Sequence, residues 1–174
     1  SSRKDVEIVL VDNGSTDNSS DLLQEFETSL ISENVKVISI NKNIGYGHGI
    51  MTGLKNANGT VLAWTHADLQ TDIFDVCNAY EHFISYNENQ YFLKGKRVNR
   101  TFVDSFFTFG MSMFATLLLK KKLFDINAQP KMFYREFYLS LDKAPNDFSL
   151  DLYFLHESQA KGLKLIEYPV IFGK

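Results

Sequence analysis

Thiols are almost missing from the chain: Cys77 stands alone among 174 residues. A lone cysteine excludes a disulfide framework and fits a reducing compartment, so a cytoplasmic setting is expected. Cationic excess is missing too. The net charge is −3, which gives no bulk attraction to nucleic acid, and no nucleic-acid partner is expected. The longest uncharged run, Ser105 to Leu119, falls short of the roughly 20 apolar residues that a spanning helix needs. Ser1-Ser-Arg-Lys-Asp5 opens the chain without the apolar segment of a signal peptide. With no internal repeat, low-complexity tract or linker, residues 1–174 read as a single domain large enough for a sizeable core.

What is present is ordinary for a globular protein, with 44% hydrophobic and 22% charged residues. The fifteen phenylalanines are many, and they crowd the region after residue 100. The Phe-rich run ends in Lys120-Lys-Lys122. That pattern fits a buried helix whose dipole favours a cationic end, or a helix lying on a membrane surface as a peripheral contact.

Strand and helix patterns alternate, which predicts parallel βαβ units and an α/β fold. Asp5 to Val11 reads as a central strand that empties into Asp12-Asn-Gly-Ser-Thr-Asp17, a loop of turn formers and acceptors. Asp17 or Ser19 can cap a helix over Ser20 to Leu30, with Leu22, Leu23, Phe26 and Leu30 on its apolar face. Val35 to Ile40 is the second strand. It leads through Asn41-Lys-Asn-Ile-Gly-Tyr-Gly-His-Gly49 into a helix that ends near Ala57. The spacing of Gly45, Gly47 and Gly49 is not that of a dinucleotide fingerprint and follows the wrong strand, which sets a Rossmann dehydrogenase aside. These glycines suit either a neighbouring phosphate or tight packing.

Thr60 to Thr65 is a short apolar run after the turn Asn58-Gly59, as a strand buried on both faces would be. Polarity then inverts: His66, Asp68 and Gln70 alternate, so extended backbone would aim all three to one side beyond the strand's C-terminal end. One carboxylate with flanking nitrogen and oxygen donors suits a divalent cation that keeps water and phosphate oxygens as its other ligands. A polar turn with Asp68 or Thr71 capping the next helix is the plainer alternative.

Ile73 to Tyr86 reads as a helix with Phe74, Cys77, Tyr80, Phe83 and Ile84 on one face. Tyr91-Phe-Leu-Lys94 is a strand ending at Gly95-Lys-Arg97, with Arg100 close behind. Those cations suit phosphate oxygens or a solvated loop. Asp125 to Lys131 forms a polar, proline-containing loop. Pro145-Asn-Asp147 precedes a helix over Phe148 to Lys161, with Asp147 as cap, Asp151 one turn on and Gly162 as the C′ residue. Leu163 to Phe172 is the last strand, in which Pro169 marks an edge or a bend.

In order along the chain, Val-Asp12-Asn-Gly-Ser-Thr-Asp17, Asn43-Ile-Gly-Tyr-Gly-His-Gly49, Asp68-Leu-Gln70, Gly95-Lys-Arg97 and Gly162-Leu-Lys-Leu-Ile-Glu-Tyr-Pro-Val170 resemble family 2 glycosyltransferases of the GT-A fold. The dolichol- or polyprenyl-phosphate mannosyltransferase branch is the most similar. The resemblance implies a three-layer sandwich with a mostly parallel central sheet. It also implies inverting transfer from a nucleotide-diphosphate sugar to a lipid-phosphate or saccharide acceptor, in cell-surface polysaccharide or glycolipid synthesis. Donor contacts carry over to Asp12, Gly14, Ser15, Asp17, Asn43, Gly47 and Ala67. His66, Asp68 and Gln70 map to the divalent-metal site, for Mg²⁺ or Mn²⁺, and Lys96, Arg97 and Arg100 to phosphate contacts. Gln129 and Lys131 fall in the acceptor loop. Asp68 is expected to act through the metal, and Asp147 and Asp151 are the candidate bases for a hydroxyl acceptor.

Two departures stand out. His66 replaces the family's first metal-motif aspartate, which removes a negative charge and softens the ligand set. The family's usual first strand and Pro-x-Tyr-Asn-like turn have no counterpart before Ser1, so an N-terminally incomplete fragment with impaired donor binding is expected. A nucleotide-sugar-binding or scaffold domain that has lost catalysis is the alternative function. Work at the inner face of the membrane would fit a lipid-phosphate acceptor.

Overall fold

A computed structural model describes residues 5–29, 34–68, 72–86, 88–98 and 125–171. Leu30, Gln70, Thr71, Arg100 and the Phe-rich run with its three lysines lie outside the described residues. The chain packs as two compact units, residues 1–62 with 142–150, and residues 63–141 with 151–174.

The first unit is built on β1 (Ile8–Asp12) and β2 (Val35–Ser39), parallel and in register from Ile8↔Val35 to Asp12↔Ser39. Parallel strands need a crossover; here it includes α1 (Ser19–Ser29), whose entry is fixed by Asp17 accepting the Ser19 N–H at 3.0 Å. The expected apolar face of α1 is not buried: Leu22 and Phe26 stay exposed and the helix buries no residue. After β2 comes α2 (Tyr46–Asn56), which lies on β1 with Gly53 against the Val11 side chain. Glu7 accepts the N–H groups of Asn58 and Gly59 and so ties the turn before the next strand.

The second unit holds a four-stranded sheet in the order β3-β5-β4-β6, formed by β3 (Val61–Trp64, its last two residues in this unit), β4 (Tyr91–Val98), β5 (Lys131–Tyr134) and β6 (Lys164–Ile171). β4 pairs antiparallel with β5 and parallel with β6. Helices α3 (Phe74–Ile84), α4 (Arg135–Leu139) and α5 (Leu150–Ala160) accompany it. Pro169 sits on the edge strand β6, where a missing N–H costs no ladder bond. Gly162, at φ 80°, ends α5 as expected, and the Leu163 N–H returns to the Ser158 carbonyl at 2.9 Å.

Four sequence expectations change. β3 alternates, with Leu62 and Trp64 buried and Ala63 exposed, because it is an edge strand with one face toward the core. β4 continues four residues past Lys94, so Lys96 and Arg97 are strand residues held by β6 up to Val98↔Ile171, not loop residues. Lys131 begins β5 instead of closing a loop. In α3 the buried pair is Ala79 and Phe83, whereas Phe74 is 68% exposed and Cys77 is exposed.

Phe83, Phe92, Phe133, Phe137 and Phe154 are buried in the second unit. Phe133 is wholly buried and meets four rings: Trp64 at 5.7 Å, Phe92 at 5.6 Å, Phe137 at 5.4 Å and Phe154 at 5.3 Å. Edge-on and offset pairs of this kind add to the burial of the rings themselves.

Candidate functional site

Within the first unit, the loops leaving β1 and β2 meet at the C-terminal ends of the two parallel strands. That is the edge where open α/β sheets bind ligands. Asp12 ends β1 and is buried, with Oδ1 accepting the Ser15 N–H at 2.9 Å. The side-chain and backbone donors of Ser15 hold its carboxyl below the usual carboxylate range, so a buried negative charge stands at this edge. Gly14 packs directly on the backbone of Asn43, and Asn13 Nδ2 donates to the Gly45 carbonyl at 3.1 Å. The expected donor-side residues Asp12, Gly14, Ser15 and Asn43 are thus brought together. Asn13 belongs with them and was missed, although its place between Asp12 and Gly14 was a signal.

Gly45, just before α2, and Gly47, in its first turn, face backbone. Gly45 has φ 144°, and a Cβ there would strike the carbonyl oxygen of Asn146; one on Gly47 would come 2.5 Å from the Pro145 carbonyl oxygen. The His48 N–H donates to the Asn146 carbonyl at 3.0 Å, and Tyr46 stacks on Phe148 at 5.0 Å. Residues 145–148 therefore cover the start of α2, and Gly47 faces protein backbone there.

Asp17 caps α1, and Asp147 does the same before α5, its Oδ1 accepting the Ser149 N–H at 2.9 Å and the hydroxyl at 2.6 Å. Those serine donors hold both carboxyls below their ordinary value.

In the second unit His66, Ala67 and Asp68 follow β3 and are exposed. Before α3, Asp72 Oδ1 accepts the Phe74 N–H at 3.0 Å. An exposed carboxylate and imidazole at alternate positions fit a divalent cation that completes its shell with water and substrate oxygens. Among the described residues no group of three or more His, Cys, Asp or Glu could hold a metal unaided.

Gly95 lets the 125–131 loop lie on β4. A Cβ there would strike the Gln129 carbonyl, and the Gly95 N–H donates to the Pro130 carbonyl at 2.8 Å. Arg97 is anchored, its N–H on Asp125 Oδ2 at 2.8 Å and its Nε 3.6 Å from Asp125 Oδ1. Lys96 is exposed and paired with Glu167 at 3.0 Å. Gln129 and Lys131 point inward: Lys131 pairs with Asp151, and Gln129 Nε2 donates to the same Asp151 oxygen at 3.0 Å. Asp151 is 2% exposed. Burial pushes the Lys131 ammonium down, with Asp151 opposing.

A family model described as "Glycosyl transferase family 2" matches residues 1–139. The chain belongs to glycosyl transferase family 2. An undecaprenyl-phosphate 4-deoxy-4-formamido-L-arabinose transferase of Pseudomonas fluorescens is 46% identical over 68 residues, which are 39% of this chain and 20% of that protein. The glycosyltransferase YkcC of Bacillus subtilis is 31% identical over 100 residues, 58% of this chain and 30% of that protein. The matched stretches thus span a fifth to a third of these curated relatives. Among solved structures, the mannosyltransferase PcManGT of Pyrobaculum calidifontis, in complex with GDP-Man and Mn²⁺, superposes with TM-score 0.69 at 17% identity, over 96% of this chain and 47% of that one. Glucosyl-3-phosphoglycerate synthase of Mycobacterium tuberculosis, in complex with Mn²⁺, UDP and glucosyl-3-phosphoglycerate, gives TM-score 0.71 at 14% identity, over 97% of this chain and 60% of that one. The family 2 chain thus has the GT-A glycosyltransferase fold. No helix among the described residues is long and apolar enough to cross a membrane.

Proposed function

We propose that this family 2 chain carries the donor-binding part of an inverting glycosyltransferase that moves a sugar from a nucleoside-diphosphate donor to a lipid phosphate. The observation that carries the reading is Asp68 with His66, two residues apart and exposed past the end of β3. Asp68 and His66, with Gln70 beyond the described residues, would hold Mg²⁺ or Mn²⁺. When bound, such an ion supplies Lewis-acid stabilisation of the leaving diphosphate. Asp12, fixed by Ser15, offers an oriented acceptor to the ribose or base. Lys96 and Arg97, with Arg100, are the cations that would meet phosphate charge.

The two base candidates support a lipid-phosphate acceptor. Asp147 commits one oxygen to two serine donors, and Asp151 is buried against Lys131 and Gln129. Neither is placed to take a proton from a sugar hydroxyl, whereas a phosphate arrives ionised and needs no base. Such an acceptor would be met at the inner, cytoplasmic face of a membrane. His66 in place of an acidic ligand favours, as a second reading, a domain that binds nucleotide sugar without turnover.

Titration of UDP and GDP into the full chain by calorimetry, with and without Mn²⁺, tests the site. Metal-dependent binding that disappears in Asp68→Ala is expected, and binding unchanged by that substitution removes the metal from the scheme. Transfer to a polyprenyl phosphate by the same preparation separates the enzyme from the binding domain.

A further inference from the structure

The chain holds two Asn-Gly pairs, Asn13-Gly14 and Asn58-Gly59, both in the first unit. Asparagine is a thermolabile residue. It is most so before glycine, where no Cβ hinders attack by the next backbone nitrogen on the side-chain amide. In that step the glycine nitrogen bonds to the asparagine Cγ, its proton passes to the departing amide nitrogen, and ammonia leaves. Water then opens the cyclic imide at one carbonyl or the other, which gives aspartate or isoaspartate.

The fold restrains the two pairs by different means. Asn13 is enclosed. Its Nδ2 donates to the Gly45 carbonyl at 3.1 Å, its Oδ1 is buried, and a Cβ on Gly49 would come 2.9 Å from its Cγ. Gly14 in turn rests on the Asn43 backbone. Asn58 is exposed, and both of its nitrogens donate to one side chain, Glu7, 51 residues earlier. Glu7 Oε1 accepts the Asn58 and Gly59 N–H groups, the second at 2.6 Å, and Oε2 accepts Asn58 Nδ2 at 3.2 Å. The attacking nitrogen and the leaving nitrogen are therefore bound to the same carboxylate. For Cγ to reach the Gly59 nitrogen, Asn58 must turn off Oε2. The carboxylate charge beside that nitrogen also opposes the negative charge that builds there as its proton leaves.

We infer that Asn58 is a deamidation site latched by Glu7. While the carboxylate holds both nitrogens the amide persists, and release of Glu7 lets the turn convert. The product does not relatch. Aspartate at this position sets a second carboxylate against Glu7 where a donor stood, and like charges in one place disfavour each other. Isoaspartate routes the main chain through the side-chain carbon, which lengthens it by one atom and moves the Gly59 N–H. Either way the tie between the approach to β1 and the turn before β3 is lost for good. The latch stands apart from the donor and metal residues and does not depend on the proposed transfer.

Incubation of the full chain at mildly alkaline pH, followed by peptide mapping by mass spectrometry, reads conversion at each Asn-Gly pair. The parent should convert Asn58 several-fold more slowly than a synthetic peptide of Lys55–Trp64, which carries no Glu7. Glu7→Ala should raise the Asn58 rate several-fold and leave Asn13 as slow as in the parent. Glu7→Gln keeps an acceptor without the charge and should fall between. Equal rates in parent and peptide overturn the latch, and so does an Asn58 rate in Glu7→Ala no higher than in the parent. A slower one would make the carboxylate the base of the reaction. If Glu7→Ala does not fold, Asn13 converts as well, and the parent-to-peptide ratio with Glu7→Gln decides. Chain converted at Asn58, separated by charge from the fresh chain, should melt at a lower Tm; an equal Tm overturns the loss of the tie.

Discussion

The two units are held together by different means. In the first, Leu54, Leu62 and Leu150 are the buried apolar side chains among the described residues, and α1 buries none. Its cohesion comes from backbone brought close by glycine and from carboxylates satisfied by neighbouring N–H groups. The second has an aromatic centre around Phe133 and, against it, ammonium and carboxylate groups taken out of water. A unit of the first kind exposes polar backbone and side chains at a sheet edge, as nucleotide binding needs. One of the second kind can hold a charge in a fixed place. The proposed transfer would draw on both, a loop-built donor edge and fixed charges.

The sharpest way to break the contrast is to empty the aromatic centre. Phe133→Ala removes a ring that meets four others, and a loss of about 3–5 kcal/mol is expected in chemical denaturation. Protection from hydrogen exchange should fall first in β4 and β5 and least in β1. Equal loss in both units would mean that they share one core after all. Next is the buried pair. Lys131→Met leaves Asp151 charged and enclosed, which should cost about 3–5 kcal/mol, whereas adding Asp151→Leu should recover most of it. Losses that simply add would show that the two charges do not depend on each other.

Much of this was legible in the sequence because the strands and loops carry local signals. Alternating βα patterning, the Asp12–Asp17 loop, the Asp147 cap and the Gly162 C′ position depend on neighbours close in sequence, and the structure has all of them. What was not legible depends on partners far away. Lys94 reads as the polar end of a short strand, because its burial depends on β5 and β6 lying on either side of β4. Lys131 reads as a loop lysine, because its carboxylate comes from α5, twenty residues on. Phe74 reads as core by helical spacing, yet the face of α3 that packs is set by Ala79 and Phe83. At the candidate site, the residue types at Asp12, His66 and Asp68 were readable. That Asp72 takes the cap turned on one residue's offset.

A milder test works on the first unit by adding a single methyl. Ala is favoured over Gly in a helix by up to about 1 kcal/mol, so Gly47→Ala would stabilise α2 if nothing opposed it. The Pro145 carbonyl oxygen does oppose it, at 2.5 Å from the new Cβ, and backbone cannot swing aside as a side chain can. A net loss of about 1–3 kcal/mol is expected in denaturant midpoints. A gain would mean that the 145–148 segment lifts off the start of α2 at little cost, and that the helix end is open to a phosphate after all.

The smallest effect separates the units by acid. Asp12, Asp17 and Asp147 have folded values below the ordinary 3.8, held there by serine donors. Their contribution is therefore complete above 3.8 and is lost as pH falls through the folded values, where the native state must take up protons. Glu167 is also held low, against its burial, but by two lysines, so its contribution is lost from 4.5 downward. Hydrogen bonds from serine respond little to ionic strength, whereas the exposed Lys96–Glu167 pair is screened. High salt should accordingly flatten the Glu167 part of the acid loss and leave the serine-held part in place. Asp147→Asn keeps an acceptor for Ser149 and removes the titration. It should melt like the parent at neutral pH and lose less in acid below 3.8. An unchanged acid slope in that variant would place the proton uptake elsewhere than on the cap before α5.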